Sequence, residues 1–471
     1  MRYTQVKQLR TVDQFRAHIA SLGVDIPVAD HVDPTGPLGD AVTIRDASAG
    51  TLTAPNRFAI LPMEGWDGTA DGRPTDLVRR RWTRIGASGA GLAWCEATAV
   101  RADGRANPHQ LLLDRSTVDE FAALRALLVP EQVAGLQLTH SGRWSRPDGP
   151  PAPRIAYRHP WLDRRVDATD AHRFDDDELD ELAQTYIDAA VLAHDAGFDF
   201  VDVKHCHGYL LHELLSAHDR PGPYGGDLDG RMHFLRTVVS GIRARAPQLA
   251  IAVRLSAFDL MPFAPDADRV GAPESQGDRY PYAFGGDGTG LGIDLTETHA
   301  FLDALGDLGI GLVSITAGSP YYNPHVQRPA YFPPSDGYQP PEDPLVGVAR
   351  QLAATAEITH RHPDLTIIGS GYSYLQDWLA HAGQEVVNRG DAAMIGLGRM
   401  VLSYPHLPAD VLAGRSLERT QVCRTFSDCT TAPRHGLVSG CFPLDPFYKE
   451  HGDRVELTRV KKSARGSHDD E

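Results

Sequence analysis

One short stretch of the sequence, KHCHGY, places an amine, an imidazole and a phenol close together at Lys204, His207 and Tyr209. A desolvated lysine is a nucleophile toward carbonyl carbon and, when charged, a partner for carboxylates. Histidine titrates near neutrality, and a tyrosine hydroxyl can deliver a proton where water is scarce. Arg254, within AVRLSA, offers a charge that survives desolvation, or else the cation of a structural ion pair. Gln137, within GLQLTH, reads by itself as a buried amide bridging layers of the core. Glu64, in LPMEG, is either a titratable group beside other charges or half of a loop ion pair. Gly369, Gly371 and Gly398 read as turn glycines, with Arg399 adding charge to the last of these turns. Cys423, Cys429 and Cys441 are close enough in sequence to hold zinc or to be plain buried thiols.

These residues need a scaffold, and the pattern supplies one. Short apolar or β-branched runs at 57–62, 91–97, 133–138, 198–204, 249–255, 311–317, 365–369 and 391–396 alternate with helical patterns. Such alternation is the mark of βα units on a parallel sheet. Asp175 caps a helix in which Leu179, Leu182, Tyr186, Ala190 and Ala193 recur at helical spacing up to Gly197. Asp294 opens a second, through Leu295, His299, Leu302 and Leu305, closed by Gly309 or Gly311. Eight repeats predict an α/β fold, a (β/α)8 TIM barrel; a doubly wound sheet would carry a glycine fingerprint after its first strand, and none follows Pro62.

The 471 residues suit one barrel with insertions. The net charge of -16 would repel a nucleic-acid backbone, so nucleic acid is excluded as a partner. Met1 to Ile19 carries charges and no signal-like apolar run, and no stretch reaches the length of a membrane span, so the expected location is the cytoplasm. Cys95 and Cys206 sit at predicted strand ends, and an odd total of five argues against a disulfide framework. Long connections at 258–293 and 319–344 leave the C-terminal ends of the fifth and sixth strands and are expected to overhang the active face. The resulting division is an N-terminal extension at 1–50, the barrel at 51–413, a cysteine-containing extension at 414–450 and a charged, frayed tail at 451–471.

From about Thr51 to about Ala413 the sequence resembles the old yellow enzyme family of FMN-dependent ene-reductases. The segment GFDFVDVKHCHGYLLHELLSAHDRPGPYGG carries the resemblance most strongly, supported in order by NRFAILPMEG, CEATAV, GLQLTHSGR, AVRLSAFD and IGLGRMVLSYPHLP. The resemblance implies FMN as cofactor and NAD(P)H as reductant. It assigns Pro62, Met63, Glu64, Ala97 and Gln137 to the flavin ring, and Arg254 to the edge where charge builds on reduction. Gly369, Gly371, Gly398 and Arg399 follow the seventh and eighth strands, where this fold binds phosphate. In the family two side chains three residues apart hold the substrate carbonyl and a tyrosine protonates the alkene; the matching positions are Lys204, His207 and Tyr209. Lys204 departs from the usual imidazole and points to a more anionic substrate or to a different reaction. Glu64 also departs, from the usual Thr or Cys, and pairing with Lys204 would neutralise it.

The cysteine trio resembles the [4Fe-4S] motif of the 2,4-dienoyl-CoA reductase and trimethylamine dehydrogenase subset, fitting three of its four cysteines, but Phe426 stands where the second should be. A cluster would need Asp428 or His435 instead, and the reading favours no metal. The implied reaction passes hydride from NAD(P)H through flavin to an activated C=C bond; in reverse it desaturates. The rivals are a flavin-free barrel lyase or aldolase using Lys204 and an FMN-binding protein without turnover.

Overall fold

All eight expected strands form. They are β1 (Phe58–Ile60), β2 (Leu92–Ala99), β3 (Val133–Thr139), β4 (Phe200–Val203), β5 (Ala250–Ser256), β6 (Leu312–Thr316), β7 (Thr366–Gly369) and β8 (Met394–Leu397). In the computed structural model, which describes residues 3–275 and 279–466, each pairs in parallel with the next and β8 pairs with β1, closing a barrel. The first strand ends short of Pro62, which has no N–H to give.

The helices follow the local code. Asp175 and Glu178 make a reciprocal capping box at the start of Asp176–Asp195, with bonds of 2.8 and 2.9 Å. The five residues expected to face the barrel, Leu179 through Ala193, are buried, and Gly197 at φ 86° turns the chain into β4. The helix Thr296–Asp307 starts two residues beyond Asp294, whose carboxylate instead accepts the Thr296 N–H at 2.9 Å.

Alternation fixes what points inward. Along β4 the inward residues are Phe200, Asp202 and then Lys204, in ascending layers, and along β5 they are Ala250, Ala252 and Arg254. The lower layers are apolar and continuous with Val42 and Ile44 of an N-terminal hairpin, Val42–Asp46 with Gly50–Ala54, which plugs the barrel floor. The expected boundary after residue 50 falls inside that hairpin. In β3, Gly135 is required by packing: a Cβ there would lie 2.0 Å from the Phe200 ring, which fills the barrel centre against Trp94 at 5.0 Å.

The two long connections behave differently. The 319–344 segment reaches over the strand ends, as expected. None of the described residues of 258–293 lines the central cavity; its aromatic residues pack sideways, Tyr280 stacking on Trp161 at 5.3 Å and bonding His159 at 2.9 Å. That expectation is corrected: the segment buttresses a neighbouring loop.

The tail also differs from expectation. It is helical over Asp453–Gly466, with Leu457 buried and Lys461 bonded to Asp428 at 2.5 Å; residues 467–471 lie outside the described residues. Leu457 packs with Ala432, Phe442 and Tyr448, and Asp453 accepts the Val438 N–H at 2.9 Å; with the Lys461–Asp428 pair these dock a charged segment whose composition suggested fraying. Among the described residues no helix is long and apolar enough to cross a membrane.

Candidate active site

A cavity of about 260 Å³ opens at the C-terminal ends of the strands. Pro62, Met63, Glu64, Ala97, Gln137, Lys204, His207, Tyr209, Arg254, Gly371, Gly398 and Arg399 all line it. Gly369 does not: it belongs to β7, and the space beside it is taken by the Tyr372 hydroxyl, 2.7 Å from where a Cβ would stand. Ser370, its neighbour, lines the cavity instead.

The floor is organised by Asp202, a residue that the sequence reading did not single out. Its fully buried carboxylate accepts from Gln137 Nε2 at 2.5 Å, Trp94 Nε1 at 2.9 Å and the Arg254 backbone N–H at 2.8 Å. Burial pushes it up to about 6 despite these donors. An aspartate between Phe200 and Lys204 at the inward period of β4 was the available signal. By holding the Gln137 amide nitrogen, Asp202 leaves the amide oxygen for the cavity. Arg254 donates from Nη1 to the Pro62 carbonyl at 3.2 Å, while its buried Nε has no partner among the described residues.

Above the floor, the Lys204 side chain makes no hydrogen bond or ion pair to a described residue; its Nζ lies 3.6 Å from the centre of the Tyr209 ring. Burial lowers its pKa, with Glu64 pulling the other way. His207 sits at φ 67°, a left-handed conformation next to Gly208 at φ 74°. Ser256 Oγ accepts its N–H at 3.0 Å and Ser319 Oγ donates to its carbonyl at 2.7 Å, which holds the strained turn open toward the cavity. Burial holds the His207 imidazole well below its usual range, hence neutral, and Gln327 Nε2 stands 3.3 Å from its Nε2.

Glu64 does not turn away into a loop ion pair. Its Oε2 accepts from Tyr209 Oη at 2.9 Å and its Oε1 from Trp66 Nε1 at 3.0 Å. Tyr209 Oη lies 3.0 Å from Tyr321 Oη, and Tyr321 stacks on Trp144 at 4.5 Å. Burial raises the Glu64 carboxyl, and Lys204 opposes the rise without coming within ion-pair distance. Trp66, Tyr321, Gln327 and Arg328 are further lining residues that the sequence reading missed.

The roof comes from the 319–344 segment, and it is tied to the C-terminal extension. Arg328 bonds Thr430; Tyr331 N donates to Thr425 Oγ1 at 3.3 Å; Ser427 Oγ donates to the Phe332 carbonyl at 2.6 Å; Arg434 grips Asp336 at 2.9 and 3.0 Å. Phe426 stacks on Phe332 at 5.4 Å, so this position holds the roof down. Burial and the nearby Arg434 and Arg399 bring Arg328 down to about 9.

Cys423, Cys429 and Cys441 are free thiols, of which only Cys429 lines the cavity. Asp428 is engaged by Lys461, and His435 Nδ1 lies 2.9 Å from the Thr431 carbonyl.

The profile of the NADH:flavin oxidoreductase / NADH oxidase family matches residues 48–270. An NADH:flavin oxidoreductase of Gibberella zeae is 29% identical over 44% of this chain and 55% of its own length. An NADPH dehydrogenase of Geobacillus sp. is 26% identical over 76% of this chain and 89% of its own. Among solved structures, a 2-naphthoyl-CoA reductase aligns at TM-score 0.65 with 16% identity, over 88% of this chain and 57% of that one. An old yellow enzyme homologue from Zymomonas mobilis aligns at 0.54 with 21% identity, over 82% of this chain and 97% of that one. The chain thus spans little more than half the length of the Gibberella relative and of the 2-naphthoyl-CoA reductase.

Proposed function

Because the chain belongs to the old yellow enzyme family of NADH:flavin oxidoreductases, we propose that it is an FMN-dependent, NAD(P)H-consuming reductase of the activated C=C bond of an anionic substrate. The observation that carries this reading is the convergence of Gln137, Arg254, Lys204, His207 and Tyr209 on one cavity at the C-terminal face of the barrel.

The polar atoms left without protein partners fit the cofactor. The Gln137 oxygen suits the N–H of a pyrimidine edge, and the buried, unpartnered Arg254 Nε suits its carbonyl side. Arg399 keeps a buried Nη1 without a partner among the described residues, beside Gly398, where a Cβ would meet nothing within 4 Å. With Gly371 at φ 96°, these positions suit a phosphate. FMN, when bound, would supply hydride exchange between a nicotinamide and carbon.

The chain's own residues would do the rest. Arg254 fixes a positive charge where reduction concentrates a negative one. His207, neutral, hydrogen-bonds the carbonyl that activates the alkene, and Lys204, lacking an acidic partner within ion-pair reach among the described residues, holds an anionic group of the substrate. Tyr209, kept protonated by burial, delivers a proton to the α-carbon.

The test is spectroscopic. The purified protein should be yellow with one releasable FMN per chain, bleach with NAD(P)H without oxygen, and regain colour with a carboxylated enone. A colourless protein with carbon–carbon lyase activity, trapped by borohydride at Lys204, would replace this reading by the Schiff-base one. An FMN protein inert to NAD(P)H would reduce it to flavin binding.

A further inference from the structure

Tyr209 carries one hydroxyl proton, yet two oxygens stand within hydrogen-bond distance of it: Glu64 Oε2 at 2.9 Å and Tyr321 Oη at 3.0 Å. We propose that Glu64 is the proton source behind Tyr209, and that its protonation decides whether the Tyr209 O–H is tied to the wall or released into the cavity. The proposal rests on Tyr209 acting as the acid of the preceding section.

The argument follows from counting protons. When Glu64 is ionised it can only accept, so Tyr209 donates to it and Tyr321 must donate to Tyr209. The phenolic proton is then held by the wall. When Glu64 is protonated, its O–H donates to the Tyr209 oxygen and the phenolic O–H is free to turn toward a substrate. The second Glu64 oxygen stays anchored by Trp66 Nε1 at 3.0 Å in either state, so the carboxyl does not swing away.

The proton transfers balance. As hydride reaches the β-carbon, the Tyr209 O–H bond breaks, its electron pair stays on the phenolate oxygen, and a C–H bond forms at the α-carbon. The Glu64 O–H then breaks, its proton restores Tyr209, and the carboxylate left behind is stabilised electrostatically by Lys204. Solvent returns one proton to Glu64 per turnover.

The surroundings favour the protonated form of Glu64 relative to a glutamate in water. It faces Lys204 at the end of β4, Tyr209 just beyond, Tyr321 from the roof and Glu96 from β2. Glu96 is itself compensated by Arg81 at 3.2 Å, so it adds a modest repulsion. Burial is the largest influence and raises the carboxyl, while Lys204 and the donated bonds from Tyr209 and Trp66 lower it.

Infrared difference spectroscopy of the oxidised holoenzyme tests this without substrate. A carboxylic-acid carbonyl band should titrate above the ordinary glutamate range, vanish in Glu64→Gln, and move together with the C–O band of ring-labelled tyrosine that Tyr209→Phe removes. In stopped flow, the alkene-reducing half-reaction should slow as pH rises through that titration. Glu64→Gln, whose amide still donates to Tyr209, should be slowed by ~100-fold or more in repeated turnover and lose this pH dependence. A Glu64 that stays ionised across neutral pH, or a tyrosine band indifferent to its titration, overturns the proposal. If the bands titrate together but the wild type reduces no alkene, the proton coupling stands and the parent reading fails.

Discussion

Replacing Asp202 with asparagine separates two roles that this carboxylate combines, burying a charge and accepting three donors. The folded chain holds its proton at about 6, against 3.8 in the unfolded chain, so ionised Asp202 costs ~3 kcal/mol of stability at neutral pH. The sign follows from proton binding: between those values the folded state binds more proton, so wild-type stability falls as pH rises from 3.8 to about 6. Asparagine does not titrate. It has a single acceptor oxygen for donors that occupy both carboxylate oxygens, so at least one of Trp94 Nε1, Gln137 Nε2 and Arg254 N–H is orphaned, at ~1–3 kcal/mol. The variant should therefore be weaker than wild type by ~1–3 kcal/mol at about pH 4 and should recover ~2–3 kcal/mol relative to it by about pH 7.5. Urea unfolding of the flavin-free proteins at the two pH values measures this. Gln137 relieves the mismatch only by turning its amide, which would offer nitrogen instead of oxygen to the cavity and weaken FMN retention. Parallel stability–pH curves for the two proteins would refute the reasoning.

Tyr209→Phe should leave flavin reduction by NAD(P)H nearly intact and slow alkene reduction by ~100- to 10,000-fold, read as separate phases in stopped flow. Lys204→His should broaden activity toward simple enones and lower kcat/KM for an anionic substrate by ~2–5 kcal/mol of transition-state stabilisation, with the flavin potential unmoved; a potential that shifts while selectivity stays fixed would place Lys204 with Glu64 instead. Arg254→Met should loosen FMN and lower the flavin potential, measured by dialysis and dye titration. Gly135→Ala should cost ~1–3 kcal/mol or prevent folding, since its methyl would meet the Phe200 ring 2.0 Å away; a circular dichroism melt decides.

The barrel was legible because its signal is repetitive: each strand is a short apolar run, and errors of one or two residues at an end leave the count intact. The positions proposed for the flavin edge rest on resemblance, while their inward direction was legible in the period of two that puts Lys204 and Arg254 at strand tops. What sequence left open depended on long-range partners. Glu64 had two equal destinations until Tyr209, 145 positions along the chain, bonded one carboxylate oxygen while its near neighbour Trp66 held the other. Asp202 escaped notice because an aspartate inside an apolar strand declares its role only when its donors from β2, β3 and β5 converge. The 258–293 segment was assigned to the wrong neighbour because loop length carries no direction. The terminal helix needed the Asp428 partner that local periodicity does not contain.

The ties between the roof and the C-terminal extension have a consequence for biosynthesis. Each links residues 94 to 102 positions apart, with the later partner between Thr425 and Arg434. The barrel strands, complete by Leu397, leave a ribosome before the clasp that fastens the 319–344 segment exists. For that interval the 319–344 segment has none of these ties to hold it over the strand ends. A chain ending near residue 413 should therefore form the eight strands yet retain added FMN less well on dialysis than the full chain, because the roof segment is left unfastened.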